Sequence, residues 1–223
     1  MTPRLWISVV FAFVALMLTA QSDNFTRCAS TLGSSWTGAE GAITDWTTSD
    51  NAGACAGSST GARSAFAGAD YALAYWNGFS FTADQYSEAV ITKGPSGYEG
   101  VAVRLGGTTG SQSGYGVDLA SSTCQIYEWL VGVRSAIGSC SVTWTNGHTL
   151  RISITGSAIT VTDNGSSIGT ATNSDVSSGA AGILGYSDSG GVITSWAGDN
   201  VGGGGGATLP PALLLNPLRG CCR

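Results

Sequence analysis

Four charged side chains, Glu88, Arg104, Asp118 and Glu128, fall at even positions in separate strand-like runs. In an extended chain successive side chains alternate between faces, so positions of one parity share a face. If those runs are neighbours with that face turned inward, the four form a polar groove beside Tyr86, Tyr98 and Ile126. Asp118 and Glu128 would accept hydrogen bonds from a hydroxyl-rich ligand and Arg104 would donate them. The alternative is that Arg104 pairs with an acid and merely satisfies a partly exposed sheet face. Asp118 and Glu128 also carry a catalytic reading, since two carboxylates on neighbouring strands suit acid–base attack on a glycosidic bond.

Aromatic side chains add a second set of candidates. Tyr115, Tyr127, Trp129 and Tyr186 lie near strand ends or in Gly-rich surroundings. Their rings offer flat apolar area with a polar edge, on which a sugar ring stacks through its C–H face. Trp36, Trp46, Trp76, Trp144 and Trp196 sit among strand-like residues and read as core. The parity of Tyr127 and Trp129 opposes that of Ile126 and Leu130, so one face of this run is core and the other is not. The pattern leaves open which.

Other chemistry is weakly supplied. Gly57-Ser58-Ser59-Thr60-Gly61 matches the G-x-S-x-G string, but a nucleophile elbow needs a strand-to-helix turn. Here the string lies in a Ser/Gly loop beside Cys55, and His148 is the one histidine that could serve as base. His148 itself, after Asn146-Gly147, reads as an exposed turn residue. Asp45, Asp50, Asn51, Asp163, Asp175 and Asp199 could supply oxygen ligands to a structural Ca²⁺, without the spacing of an EF-hand. Zinc would need paired cysteine and histidine ligands that the chain lacks.

The elements that must position these residues are strands. Period-two runs separated by Gly, Ser, Asn and Asp clusters extend from Asp23 to Val201. They comprise Tyr71–Trp76, Gln85–Thr92, Tyr98–Leu105, Tyr115–Leu119, Cys124–Val133 and Ser141–Thr145. Thr149–Thr155, Ala158–Thr162, Ser166–Thr170, Gly182–Tyr186 and Val192–Ala197 follow. Asn164-Gly165, flanked by β-branched residues, predicts a tight hairpin. Leu150, Ile152 and Ile154 alternate with Arg151, Ser153 and Thr155, which is the pattern of a sheet with one dry face and one wet face. Eleven such runs in one domain predict an all-β, two-sheet antiparallel jelly-roll sandwich.

Composition agrees. Of 223 residues only 10% are charged and 34 are Gly, which excludes an all-helical fold. Apolar residues at 43%, with seven Trp, are ample for a core. A net charge of −5 argues against a nucleic-acid partner.

Both ends differ from the middle. Residues 1–22 carry Arg4, an apolar run from Leu5 to Leu18 and the small residues Ala20 and Ser22, the pattern of a signal peptide. The run is too short to span a bilayer with ease, so secretion to the extracellular space is expected, with no membrane span in the mature chain. Residues 202–223 open with Gly202–Gly206 and continue through Pro210, Pro211 and Pro217 to Cys221-Cys222-Arg223. They read as a Gly-rich linker and disordered tail. Between the ends, residues 23–201 form the domain. In a secreted chain Cys28, Cys55, Cys124 and Cys140 read as two bridges; of the three possible pairings, the local one joins Cys28 to Cys55 and Cys124 to Cys140.

Several strings resemble secreted laminin-G-like domains of the concanavalin A-like lectin/glucanase superfamily. They are Asp23-Asn24-Phe25-Thr26-Arg27 with Leu32-Gly33-Ser34-Ser35-Trp36, Gln85-Tyr86-Ser87-Glu88-Ala89, Gly97–Arg104, Gly179–Ile183 and Ser195–Asp199. The resemblance implies two stacked sheets, one of them concave, with the first and last strands adjacent. It also implies one of three roles: a sugar-binding module, an adhesive or structural surface protein, or a glycoside hydrolase or lyase with carboxylates on the concave sheet. The superfamily's laminarinase-type Glu-x-Asp-x-x-Glu is absent, because none of Glu40, Glu88, Glu99 and Glu128 has Asp two positions later. A non-catalytic module for a polysaccharide or a cell-surface glycan or protein is therefore the leading expectation.

Overall fold

The computed structural model describes residues 20–27, 29–40, 46–47, 61–64, 71–94, 98–119, 123–186 and 191–202. These hold strands β1 (Gln21–Asp23), β2 (Trp36–Glu40), β3 (Trp46–Thr47), β4 (Arg63–Ser64) and β5 (Tyr71–Trp76). Next come β6 (Gln85–Thr92), β7 (Glu99–Gly106), β8 (Ser113–Leu119), β9 (Thr123–Leu130) and β10 (Val133–Ser141). The last five are β11 (His148–Thr155), β12 (Ala158–Asp163), β13 (Ser166–Thr172), β14 (Ala180–Tyr186) and β15 (Val192–Asn200).

Two antiparallel sheets stack as a sandwich. One has six strands in the order β1-β15-β6-β11-β12-β13; the other has seven, in the order β10-β9-β8-β7-β14-β5-β2. The expected all-β jelly roll is the fold, and β1 pairs with the last strand, β15, as the resemblance implied. Among the described residues no helix is long and apolar enough to cross a membrane.

The buried apolar residues fall into two clusters. Val101, Val117, Ile126, Ile152, Ile154, Val161 and Ile183 meet between the sheets. There Trp36, Trp76 and Trp196 contact one another, with ring centroids 4.8–5.4 Å apart. The buried Trp196 Nε1–H donates to Ser87 Oγ at 2.8 Å, and Ser87 Oγ–H donates onward to the Gly182 carbonyl at 2.7 Å, which ties the sheets together. A lone buried polar group would cost about 1–3 kcal/mol, and this chain leaves none of the three unsatisfied. Of the other tryptophans expected in the core, Trp144 packs partly buried against it, and the side chain of Trp46 lies outside the described residues.

One expected element divides. The run Cys124–Val133 breaks after Leu130, which pairs with Val133 across a two-residue loop. Val131 (φ +50°) and Gly132 (φ +82°) both adopt left-handed backbone there. A β-branched residue seldom does so, which is why the sequence pattern runs straight through this turn. The hairpin creates β10 as the sheet edge; β10 ends at Ser141, and the strand expected over Ser141–Thr145 does not form, because residues 142–145 lie in no strand. At the Asn164-Gly165 turn the expected hairpin does form, with φ +46° and +82°.

Cys124 and Cys140 stand directly opposite each other in β9 and β10, with Cα atoms 4.9 Å apart, and are bridged. Cys28 and Cys55 lie outside the described residues, as do residues 1–19 and 203–223. Gln21 and Ser22, placed by the sequence at the end of the leader, pair with Gly198 and Ala197 in the sheet.

Candidate functional site on the outer face of the seven-stranded sheet

The second apolar cluster lies on the face of the seven-stranded sheet turned away from its partner. Tyr71, Leu73, Ala102, Leu105, Trp129 and Leu184 form it, with Tyr75, Tyr98, Tyr127 and Tyr186 packed around them. Its floor is made of very small residues. At Gly116 a Cβ would stand 2.5 Å from Leu184 Cδ2 and 2.9 Å from the Trp129 ring; at Gly100 it would stand 1.9 Å from the Val117 carbonyl oxygen. These glycines let large rings from β5, β9 and β14 lean inward over β7 and β8.

The result is a pocket of about 210 Å³ lined by Tyr71, Tyr98, Tyr127, Tyr186 and Arg134. The rings meet edge-on or tilted: Tyr71–Tyr186 at 5.0 Å, Tyr98–Tyr186 at 5.2 Å and Tyr71–Tyr127 at 5.8 Å between centroids. Arg134, on the edge strand β10, lays its guanidinium 4.5 Å from the Tyr71 ring centre and 5.1 Å from that of Tyr127. Both distances fall within the range of cation–π attraction.

Asp118 lies at the base of this face, fully buried, and accepts a hydrogen bond from the Tyr71 hydroxyl. Burial pushes its carboxyl up to about 6, against the Tyr71 hydrogen bond, the Gln125 backbone amide and the Arg134 charge, all of which favour the ionised form. Burial and the Asp118 charge together hold the Tyr71 hydroxyl well above the ordinary phenol range, so it stays a donor at neutral pH. Tyr127 is raised by the same two causes.

The single polar groove expected from parity is not what the fold builds. Glu88 belongs to the other sheet, where it meets Arg151 at 3.3 Å beside Tyr86, whose ring lies 3.6 Å from the Arg151 guanidinium. Arg104 lies between the sheets, 3% exposed, at a left-handed residue (φ +49°). Its side chain donates to the carbonyls of Ala83, Val176 and Gly156 at 2.7–2.8 Å. It therefore holds loops together rather than facing a ligand. Asp118 pairs with Gln125 and Tyr115 pairs with Glu128, so alternation puts Asp118 and Glu128 on opposite faces of their sheet. Glu128 is raised first by burial, then by the charge of nearby Asp175.

Among the aromatic candidates, Tyr127 and Tyr186 line the pocket, and Trp129 (1% exposed) lies beneath it. Tyr115 is in the inter-sheet core, its hydroxyl donating to Asn173 Oδ1 at 2.7 Å and accepting from the Val176 amide. Sequence reasoning did not single out Tyr71 or Arg134. The register Arg134↔Trp129, which depends on the Val131-Gly132 turn, is the signal that would have placed Arg134 on this face. Tyr71 gives no such signal, because β5 is buried on both faces.

Of the oxygen ligands considered for calcium, Asp163 pairs with His148, whose Nδ1 is 2.8 Å from its Oδ1. That pairing also makes His148 a half-buried strand residue and not an exposed turn. Asp45, Asp50 and Asn51 lie outside the described residues. Among the described residues no three His, Cys, Asp or Glu side chains gather where they could hold a metal ion.

No protein-family model matches the chain, and no curated protein matches it. Solved structures do share its fold. Carbohydrate binding module CBM66 from Bacillus subtilis superposes with a TM-score of 0.53 at 16% identity, covering 75% of this chain and 93% of that one. A β-1,3-1,4-glucanase (lichenase) from a mouse hindgut metagenome superposes at 0.51 with 12% identity, covering 82% and 100%. These likenesses show the two-sheet jelly-roll fold alone.

Proposed function

We propose that this chain is a secreted, non-catalytic module that binds a polysaccharide or cell-surface glycan on the outer face of its seven-stranded sheet. The observation that carries the reading is the tyrosine-lined pocket over Asp118. Glycan recognition combines flat rings for C–H stacking with a few fixed polar groups for hydroxyls, and this face supplies both. Sugar binding by a module of the same fold supports it, as does the bridged Cys124–Cys140 pair, since disulfides persist in oxidising compartments. The narrower laminin-G-like identity rests on the strings quoted above and remains part of this proposal.

A glycan array probed with the full chain, in Ca²⁺ and again in EDTA, tests the reading. Specific binding that falls at least tenfold in Tyr127→Ala and in Tyr186→Ala is the expected result. A blank array from folded protein overturns it. Loss of binding in EDTA alone would assign calcium to the site.

A further inference from the structure

The sequence offers two places to cut the leader. A cut after Ser22 puts Ala20 and Ser22 at the two positions a signal peptidase reads, and a cut before Gln21 puts Ala20 at the last of them. The fold does not treat the two alike. Gln21–Asp23 is strand β1, at the edge of the six-stranded sheet, and it pairs with β15: Gln21 opposite Gly198, Ser22 opposite Ala197 and Asp23 opposite Trp196.

A cut after Ser22 removes two of the three residues of β1. It also leaves a new α-ammonium on Asp23, whose carboxylate organises the entry to the domain. That carboxylate accepts two hydrogen bonds from Arg27 at 2.7 Å, one from the Trp36 indole N–H at 2.8 Å and one from the Phe25 amide at 2.9 Å. A cation on the same residue competes with Arg27 for it. A cut before Gln21 keeps β1 whole and every one of these bonds.

We infer that the secreted chain begins at Gln21 and that Gln21 is a modification site, closing to pyroglutamate. The inference rests on the secretion part of the reading above and not on its glycan part. A terminal glutamine carries both reacting groups. Its α-amine attacks the carbon of its own side-chain amide, and the new N–C bond closes a lactam ring. The bond to the amide nitrogen breaks, and that nitrogen leaves as ammonia with a proton from the amine. The step needs no co-reactant. The lactam nitrogen keeps one hydrogen, so the position retains its backbone donor.

The paired strand leaves this position uncrowded. Directly opposed residues of an antiparallel pair project to the same face, and Gly198 opposite Gln21 presents no side chain. A Cβ at Gly198 would stand 2.7 Å from the Trp196 ring and 2.8 Å from Ala181 Cβ, so this is the face turned toward the other sheet. Gln21 is half-buried there. Closure replaces a terminal charge at that edge with a neutral ring, which removes the cost of desolvating it.

The test is mass spectrometry of the N-terminal tryptic peptide, taken from the full precursor exported to the medium by its own leader. The inference expects the peptide Gln21–Arg27, lighter than its open form by one ammonia, as the dominant N-terminal species. It should resist Edman degradation until pyroglutamate aminopeptidase exposes Ser22. Gln21→Ala, which cannot close, should give the same cut and an unblocked terminus. Ser22→Leu, which spoils the cut after Ser22, should leave the terminus where it is. A peptide that starts elsewhere, at Asp23 above all, overturns the inference and leaves secretion standing. A Gln21 terminus that stays open after incubation with glutaminyl cyclase overturns it at the closure step. A chain that keeps its leader overturns the secretion reading as well, and the glycan array reads independently of all these outcomes.

Discussion

Tyr71 on β5 hydrogen-bonds Asp118 on β8 across two intervening strands, β14 and β7. The reach depends on Gly100, which stands opposite Asp118 and leaves the sheet surface bare between them. This contact buries a carboxylate on an outer sheet face and surrounds it with rings. Stability depends on this contact, on the Arg104 guanidinium between the sheets and on the Val131-Gly132 turn.

The first concerns pH. The Asp118 carboxyl is raised from 3.8 to about 6 in the folded chain, with desolvation as the leading cause. A raised acid binds its proton more tightly folded than unfolded, so its contribution favours folding below the unfolded value and is lost as pH rises through about 6. The difference amounts to about 3 kcal/mol across the window. Tyr71, Tyr127, Arg134 and Glu99 all act on the carboxyl and remain in Asp118→Asn, so comparing the two proteins isolates this group. Urea unfolding should show wild type losing about 3 kcal/mol relative to Asp118→Asn between about pH 3.5 and about pH 7. A pH-independent difference would show that Asp118 is not buried as described.

Arg104 gives the second. Its guanidinium satisfies the carbonyls of Ala83, Val176 and Gly156, which belong to three separate segments. Replacing it with Met keeps much of the volume and removes every one of those donors. Unsatisfied partly buried carbonyls cost about 1 kcal/mol or more each, so Arg104→Met should destabilise by roughly 3 kcal/mol. Ligand affinity, measured well below the melting temperature, should stay within twofold of wild type. A large loss of affinity with unchanged stability would return Arg104 to the binding site.

The third concerns Val131. Holding a β-branched residue at φ +50° costs about 1–2 kcal/mol, and Asn is far better suited to the first position of an Asn-Gly hairpin turn. Val131 is also 68% exposed, so its removal sacrifices little burial. Val131→Asn should therefore stabilise by about 1 kcal/mol, seen as a rise of about 2–4 °C in Tm. A fall in Tm would mean that the side chain makes packing interactions that outweigh its strain.

Much of the architecture was legible before any coordinate. β5 and β6 coincide with the runs Tyr71–Trp76 and Gln85–Thr92, because period-two alternation and flanking turn residues are local properties. The Asn164-Gly165 hairpin follows from backbone sterics alone. The bridged Cys124–Cys140 pair belongs to one of the three pairings the sequence allowed, and the adjacency of β9 and β10 selected that bridge.

The candidate site was legible only in pieces. Alternation tells which residues of one strand share a face, as it does for Tyr127 and Trp129 against Ile126. It cannot tell which face is turned to the other sheet, nor which strands are neighbours. Glu88 and Asp118 share a parity and lie on different sheets; Asp118 and Glu128 share one and lie on opposite faces of the same sheet. Strand order, a β-bulge in β7 between Val103 and Gly106, and the left-handed Val131 set those relationships. All three are long-range outcomes of packing. Residue types and strand periods were thus set by the chain's own local chemistry, whereas the meeting of Tyr71, Asp118, Tyr127 and Arg134 on one face was decided only when two sheets closed over a common core.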